Sequence, residues 1–157
     1  MGKIFRRERL KPSQLLTVAQ RRLDDAEWLR KSGQNARANA VFYLGGFVVE
    51  CLLKAKMLER YRFMQHVGSP RDLSDQDREV WNLIYRSHDL EEMLERLPEM
   101  RQRMMEADRR EGTQRVEALS TVCEQWTIFA RYSPKMQTMA EAEVFLDEVR
   151  RVKRWLE

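Results

Sequence analysis

The stretch Ala40-Val41-Phe42-Tyr43-Leu44-Gly45-Gly46-Phe47-Val48-Val49-Glu50-Cys51-Leu52-Leu53 decides how the rest of the chain is read. Nearly every residue in it is apolar, and it continues through Lys54 and Ala55 without a turn signal. A helix of this composition has no polar face to give to solvent, so other elements must enclose it on most sides. The reading places a helix from about Asn35, a residue suited to capping, to Tyr61. Gly45 and Gly46 inside it each cost about 1 kcal/mol relative to alanine. A neighbouring helix packed close against the bare backbone would offset that cost; close approach by a ligand is the other use of such a pair.

Amphipathic helices flank this stretch on both sides. Ser13 to Lys31 carries Leu16, Ala19, Leu23 and Ala26 at helical spacing and ends at Ser32-Gly33, where Gly33 can take a left-handed cap. After a connection from about Gln65 to Leu73, Ser74 to Tyr85 reads as a short helix. Asp89 and Glu92 fit a capping box that opens a third helix, with Pro98 bending or restarting it on the way to Arg110. Glu111-Gly112 breaks the pattern, Thr113 to Ala130 resumes it, and Ser133-Pro134 ends it. Thr138 and Glu141 form a second capping box, ahead of Ala142, Phe145, Val149, Val152 and Leu156. The expectation is an all-α, antiparallel four- to five-helix bundle in one domain over 1–157, with a basic leading segment 1–12, a core 13–135 and a last helix 138–156.

Composition agrees with that reading. Hydrophobic residues make up 43% of 157, enough for a core, and only six glycines and four prolines interrupt long helices. Cys51 and Cys123 both lie within apolar helical pattern and outside any CxxC, so they read as buried free thiols. With two histidines and two cysteines there is no zinc spacing, and no metal or cofactor is expected. The Met1–Leu10 segment lacks the apolar run of a secretory signal, and Ala40–Val49 is too short to span a bilayer; a cytoplasmic protein is expected. The formal charge is +4, concentrated in Lys3, Arg6, Arg7, Arg9 and Lys11, in Arg101–Arg115, and in Arg150, Arg151, Lys153 and Arg154. Such clusters suit RNA or an acidic partner, or are solvated faces of mixed charge.

Five residues carry candidate chemistry. Glu50 and Lys54 stand one turn apart in the most apolar helix, in the favourable order for an ion pair. Neither charge can be buried alone cheaply, so they pair at the core's rim or line a cleft. His88, in Ser87-His88-Asp89-Leu90, orders a helix start or contacts the central helix. Arg131-Tyr132-Ser133-Pro134 closes the helix after Trp126, where Arg131 complements a helix C-terminus or holds a phosphate, and Tyr132 offers a stacking surface. No P-loop, GxGxxG or nucleophile arrangement is present, and no catalytic residue is assigned.

Ala40 to Ala55, with Tyr43, Gly46, Glu50 and Lys54, resembles the central helix of HEPN domains. His88-Asp89-Leu90 with Leu94, then Trp126 and Arg131-Tyr132-Ser133-Pro134, resemble two further elements of that family in the same order, over about residues 13–135. The resemblance implies a four- or five-helix bundle that commonly dimerises. One group in the family consists of metal-independent ribonucleases with a late Arg-x(4–6)-His; the other binds nucleotides or partners a small nucleotidyltransferase. Here Arg131 is followed at the relevant spacing by Met136, Gln137 and Thr138 rather than histidine. Arg60 and His66 have the spacing but lie at the end of the central helix, away from where the family keeps its motif. The resemblance therefore implies a non-catalytic protein that forms a homodimer and binds a nucleotidyltransferase or a nucleotide, with Glu50, Lys54, His88, Arg131 and Tyr132 at its site, in a toxin–antitoxin-like setting. An RNA-directed protein, a ribonuclease acting through His66 or an RNA binder using the basic ends, is the alternative.

Overall fold

A computed structural model describes residues 9–157; the leading cluster Lys3, Arg6 and Arg7 lies outside them. Among the described residues seven α-helices follow in order: α1 Pro12–Arg30, α2 Ala38–Arg60, α3 Asp75–Tyr85, α4 Leu90–Glu95, α5 Pro98–Glu111, α6 Arg115–Gln125 and α7 Met139–Leu156. Among the described residues there is no strand. Nor, among those residues, is any helix long and apolar enough to cross a membrane.

The enclosure expected for the central helix is met. α2 packs against α1, α7, α4, α3, α6 and the turn that follows α6. Val41, Val48, Val49, Leu52, Leu53, Met57 and Leu58 have no exposed surface. α1 contributes Leu15, Ala19 and Ala26 to the core, while Leu16 and Leu23 flank that line. α7 contributes Phe145, Leu146, Val149, Val152 and Leu156. Two ion pairs from Glu27, to Arg30 on its own helix and to Arg150 on α7, clasp α1 to α7, and Arg30 also reaches Glu143.

The glycine pair is explained by close packing inside the chain. A Cβ on Gly45 would stand 2.9 Å from the ring of Phe145 on α7. A Cβ on Gly46 would stand 1.9 Å from Nε1 of Trp126, well inside contact distance, so the indole occupies the place of the missing side chain. Cys51 and Cys123 are buried free thiols. Burial, aided by nearby carboxylates, pushes both up to about 12, which keeps them protonated and unreactive at neutral pH.

Three boundaries differ from the sequence reading. Asn35 does not cap α2. It sits in a 3₁₀ turn, Asn35–Arg37, and its side chain accepts the Met139 N–H at the start of α7 (2.8 Å). Of the two outcomes open at Pro98, the restart holds: Leu97 precedes a proline and leaves the helical region (φ −122°, ψ 50°), and Pro98 takes the first turn of α5. Helix α6 ends at Gln125 rather than Ala130. Trp126 is extended (φ −96°, ψ 139°), and the Thr127 side chain accepts the Phe129 N–H to open a 3₁₀ turn, Ile128–Tyr132. Arg131 is thus not at an α-helix C-terminus, and that explanation of it falls. His66, read as ending the central helix, lies in a separate 3₁₀ turn, Arg62–His66. By contrast, the Thr138–Glu141 box is complete. Of the Asp89–Glu92 box, the Asp89 side chain accepts the Glu92 N–H, while the Asp89 N–H goes to Ser87 instead. Gly33 and Gly112 both take the left-handed conformation at helix ends.

Gly46→Ala should destabilise the fold by about 2 kcal/mol or more, since an overpacked side chain must displace a buried indole. Gly45→Ala should cost less, because only a ring edge must give way. Thermal melts read with Trp fluorescence check both. A second outcome concerns acid. Desolvation of Glu27 acts to raise its pKa, but the hydrogen bonds and charges of Arg30 and Arg150 outweigh it, and the net direction is downward. A group lowered on folding stabilises above its unfolded carboxylate value and loses that contribution as pH falls through the folded one. Glu27→Gln should therefore lower the melting temperature at neutral pH, and the gap to wild type should close below about pH 4.

Candidate functional site

The central helix sets out a polar and aromatic stripe. Tyr43, Phe47, Glu50 and Lys54 are spaced four, three and four residues apart, so they fall on one side of α2. The lower half of the stripe is buried: Glu50 is 3% exposed and Lys54 7%. Lys54 Nζ donates to Glu50 Oε1 (2.7 Å) and to the Ser87 carbonyl (2.9 Å). That second bond fixes the segment entering α4 against α2. His88 follows at once, with Nδ1 3.0 Å from Glu50 Oε2 and 3.1 Å from Oε1. An ionised carboxylate only accepts, so Nδ1 carries the hydrogen, and the ring's other nitrogen is left for a further contact. One buried carboxylate thus holds a lysine and a histidine, and each ion's desolvation is offset by a partner at hydrogen-bond distance.

The upper half is aromatic and opens to solvent. The Phe47 ring lies edge-on to His88 (6.0 Å between centroids), to Tyr43 (5.0 Å) and to Trp126 (5.9 Å). Tyr43 Oη accepts from Arg131 Nη1 (3.3 Å), and the Arg131 guanidinium stacks over the Tyr132 ring at 4.5 Å. The hydrogen bond to Tyr43 raises the Arg131 pKa further above its ordinary value, so the cation is permanent. Tyr132 and Phe129 are each 69% exposed. Beside them, a hollow of about 290 Å³ is bounded by Phe42, Trp126, Phe129, Ser133 and Lys135. Trp126 is common to the stripe and the hollow.

All five residues chosen from sequence therefore belong to one connected arrangement: Lys54, Glu50 and His88 at one end, Arg131 and Tyr132 at the other. The links between them, Tyr43 and Phe47, are not among the residues given a site role from sequence. Their signal was present as the helical spacing that leads back from Lys54, but within an apolar run they read as core. Ser87 was also missed, because it acts through its backbone carbonyl. Arg60 and His66 show no such convergence. Arg60 pairs with Glu99 and lies over the Tyr61 ring, while His66 is exposed on the following turn. Among the described residues, no group of His, Cys, Asp and Glu is arranged to hold a metal.

Chemically, the arrangement offers an exposed, permanently charged guanidinium between two tyrosines and exposed aromatic surface. Deeper in lies a histidine edge held by a buried carboxylate. These features suit an anionic group with an attached planar or apolar body. No protein-family model, no curated protein and no solved structure matches the chain.

Lys54→Met should destabilise by about 3 kcal/mol, because it leaves a buried carboxylate short of its cation and a carbonyl without its donor. His88→Ala should cost about 1 kcal/mol or less, since that side chain is 40% exposed. The double change Glu50→Met with Lys54→Met should recover part of the loss. Urea denaturation of the variants measures all three.

Proposed function

We propose that this chain is a non-catalytic, HEPN-like binding protein. Its Tyr43–Arg131–Tyr132 surface engages a small nucleotidyltransferase, a nucleotide, or the nucleotide held by that partner. The observation that carries the reading is the junction of two sequence-distant motifs: Arg131, from the Arg-Tyr-Ser-Pro element, hydrogen-bonds Tyr43 of the central-helix element at 3.3 Å while stacked on Tyr132. A guanidinium presented in this way matches the geometry of phosphate or carboxylate, and the exposed Tyr132 and Phe129 supply rings for a base or for a partner's apolar side chain. Support against a nuclease comes from the sequence, where no histidine follows Arg131 at family spacing. The alternative pair, Arg60 and His66, lies apart from this surface. A homodimer and a toxin–antitoxin-like setting belong to the same reading and rest on the resemblance alone.

The test is a tagged pull-down from the native host with mass spectrometry, paired with calorimetric titration of ATP into the purified protein. A small nucleotidyltransferase in near-equal amount, or saturable ATP binding, is the expected result. Arg131→Ala should weaken that interaction by about tenfold and leave the melting temperature nearly unchanged, because the side chain is exposed. Loss of folding in Arg131→Ala would make the residue structural. Absence of both the partner and ATP binding in the wild type would remove the reading.

A further inference from the structure

On the other side of α2 lies a larger groove of about 830 Å³. Lys56, Glu59 and Arg60 line it from α2. By the 3.6-residue turn they point away from the stripe that carries Glu50 and Lys54. Helix α5 forms one wall, and the last residues of α7 form the other. Leu97, Met100, Met104 and Leu156 give the groove an apolar floor. Six of its lining side chains are cationic and two acidic, so the groove carries a net charge of about +4.

Those cations fall into two sets. Lys56 is paired with Glu59, Arg60 with Glu99, and Arg115 with Glu111 while lying over the Trp155 ring. Arg62, Arg103 and Arg154 are exposed, and none has an ion-pair partner among the described residues. Three uncommitted guanidiniums therefore border a floor rich in methionine, a side chain that adapts to whatever apolar surface meets it. A strand of RNA is a poor match. Its bases would meet aliphatic and thioether side chains rather than open rings, since Arg115 already covers Trp155. Its continuous phosphates would also run past Glu59 and Glu99. An amphipathic helix places its charges discretely and brings apolar side chains of its own.

We infer that this groove is a docking site for an acidic amphipathic helix of a partner protein, with apolar residues seated on Met100 and Met104 and carboxylates paired to Arg62, Arg103 and Arg154. The inference is independent of the proposed function, which rests on the opposite face of α2.

The probe is a fluorescein-labelled synthetic peptide with leucines on one helical face and glutamates on the other, titrated into the full chain by fluorescence anisotropy. Saturable binding is expected, with the methyl resonances of Met100 and Met104 shifting on addition of unlabelled peptide. Arg62→Glu with Arg103→Glu should weaken binding by at least about tenfold. Met100→Lys adds a positive charge and removes an apolar seat, and it should weaken binding as well. Thermal melts confirm that both variants fold, and the methyl shifts test the site in the wild type should either fail to. The inference is overturned by absence of saturable binding, by loss on charge reversal without loss in Met100→Lys, or by unshifted methionine methyls. It is equally overturned if a labelled single-stranded oligouridine binds more tightly and is displaced from the same residues. Arg131→Ala should leave peptide binding intact, so this outcome and that of the nucleotidyltransferase test are read separately.

Discussion

The seating of the Trp126 indole on the bare backbone of Gly46 is the contact from which the candidate site follows. For the ring to lie there, the chain must leave helix α6 at Gln125 and pass through Trp126 in an extended conformation. Thr127 then starts a short 3₁₀ turn, and that turn carries Arg131 to the hydroxyl of Tyr43, three residues before Gly46 on the central helix. The same indole meets Phe47 edge-on and bounds the neighbouring hollow. Any side chain at position 46 would lift the tryptophan and, with it, the placement of the guanidinium. Close packing transmits such a displacement rather than absorbing it.

The two ends of the stripe are held by different physics. At the buried end, Glu50, Lys54 and His88 are joined by short hydrogen bonds in a setting of low effective dielectric, where an unmatched charge is expensive. That end fixes the chain entering α4 to α2 through the Ser87 carbonyl. At the exposed end, Arg131 is hydrated and screened, and its interaction with Tyr43 adds little to folding. The buried end thus serves chiefly to hold geometry, while the exposed end is available to a ligand at small cost to the fold.

Much of this was legible in the sequence, for identifiable reasons. The central helix announced itself because an unbroken apolar run can only be an enclosed element. Gly33, Gly112, Ser74 and the Thr138–Glu141 box marked helix ends through local chemistry that tertiary contacts do not override. What failed was set by distant contacts. The periodicity from Val116 to Ala130 runs on past Gln125, and nothing local says that Trp126 will be drawn onto Gly46. Asn35 looked like a cap for its own helix and instead serves Met139, over a hundred residues away. The site behaved likewise. Glu50 and Lys54 stood out as charges in an apolar run, whereas Tyr43 and Phe47 were masked by their neighbours.

Asn39, on the first turn of α2, holds the far end of the segment that follows Arg131. Its side chain accepts the Gln137 N–H (2.9 Å) and donates to the Lys135 carbonyl (2.8 Å). The strip from Trp126 to Gln137 is therefore an arch with both feet on one helix, at Gly46 and Asn39, about 10 Å apart along its axis. Between the feet the Ile128–Tyr132 turn still packs on α2, with Ile128 against the core, while Phe129, Arg131 and Tyr132 are exposed. The exposed positions 129 and 131–134 can accordingly change in sequence with little disturbance of the core, much as an antibody loop varies on a constant frame. The outer side of the arch and the core beneath it are therefore under separate constraints, and the exposed positions of the arch are where surface chemistry can vary at little cost to stability.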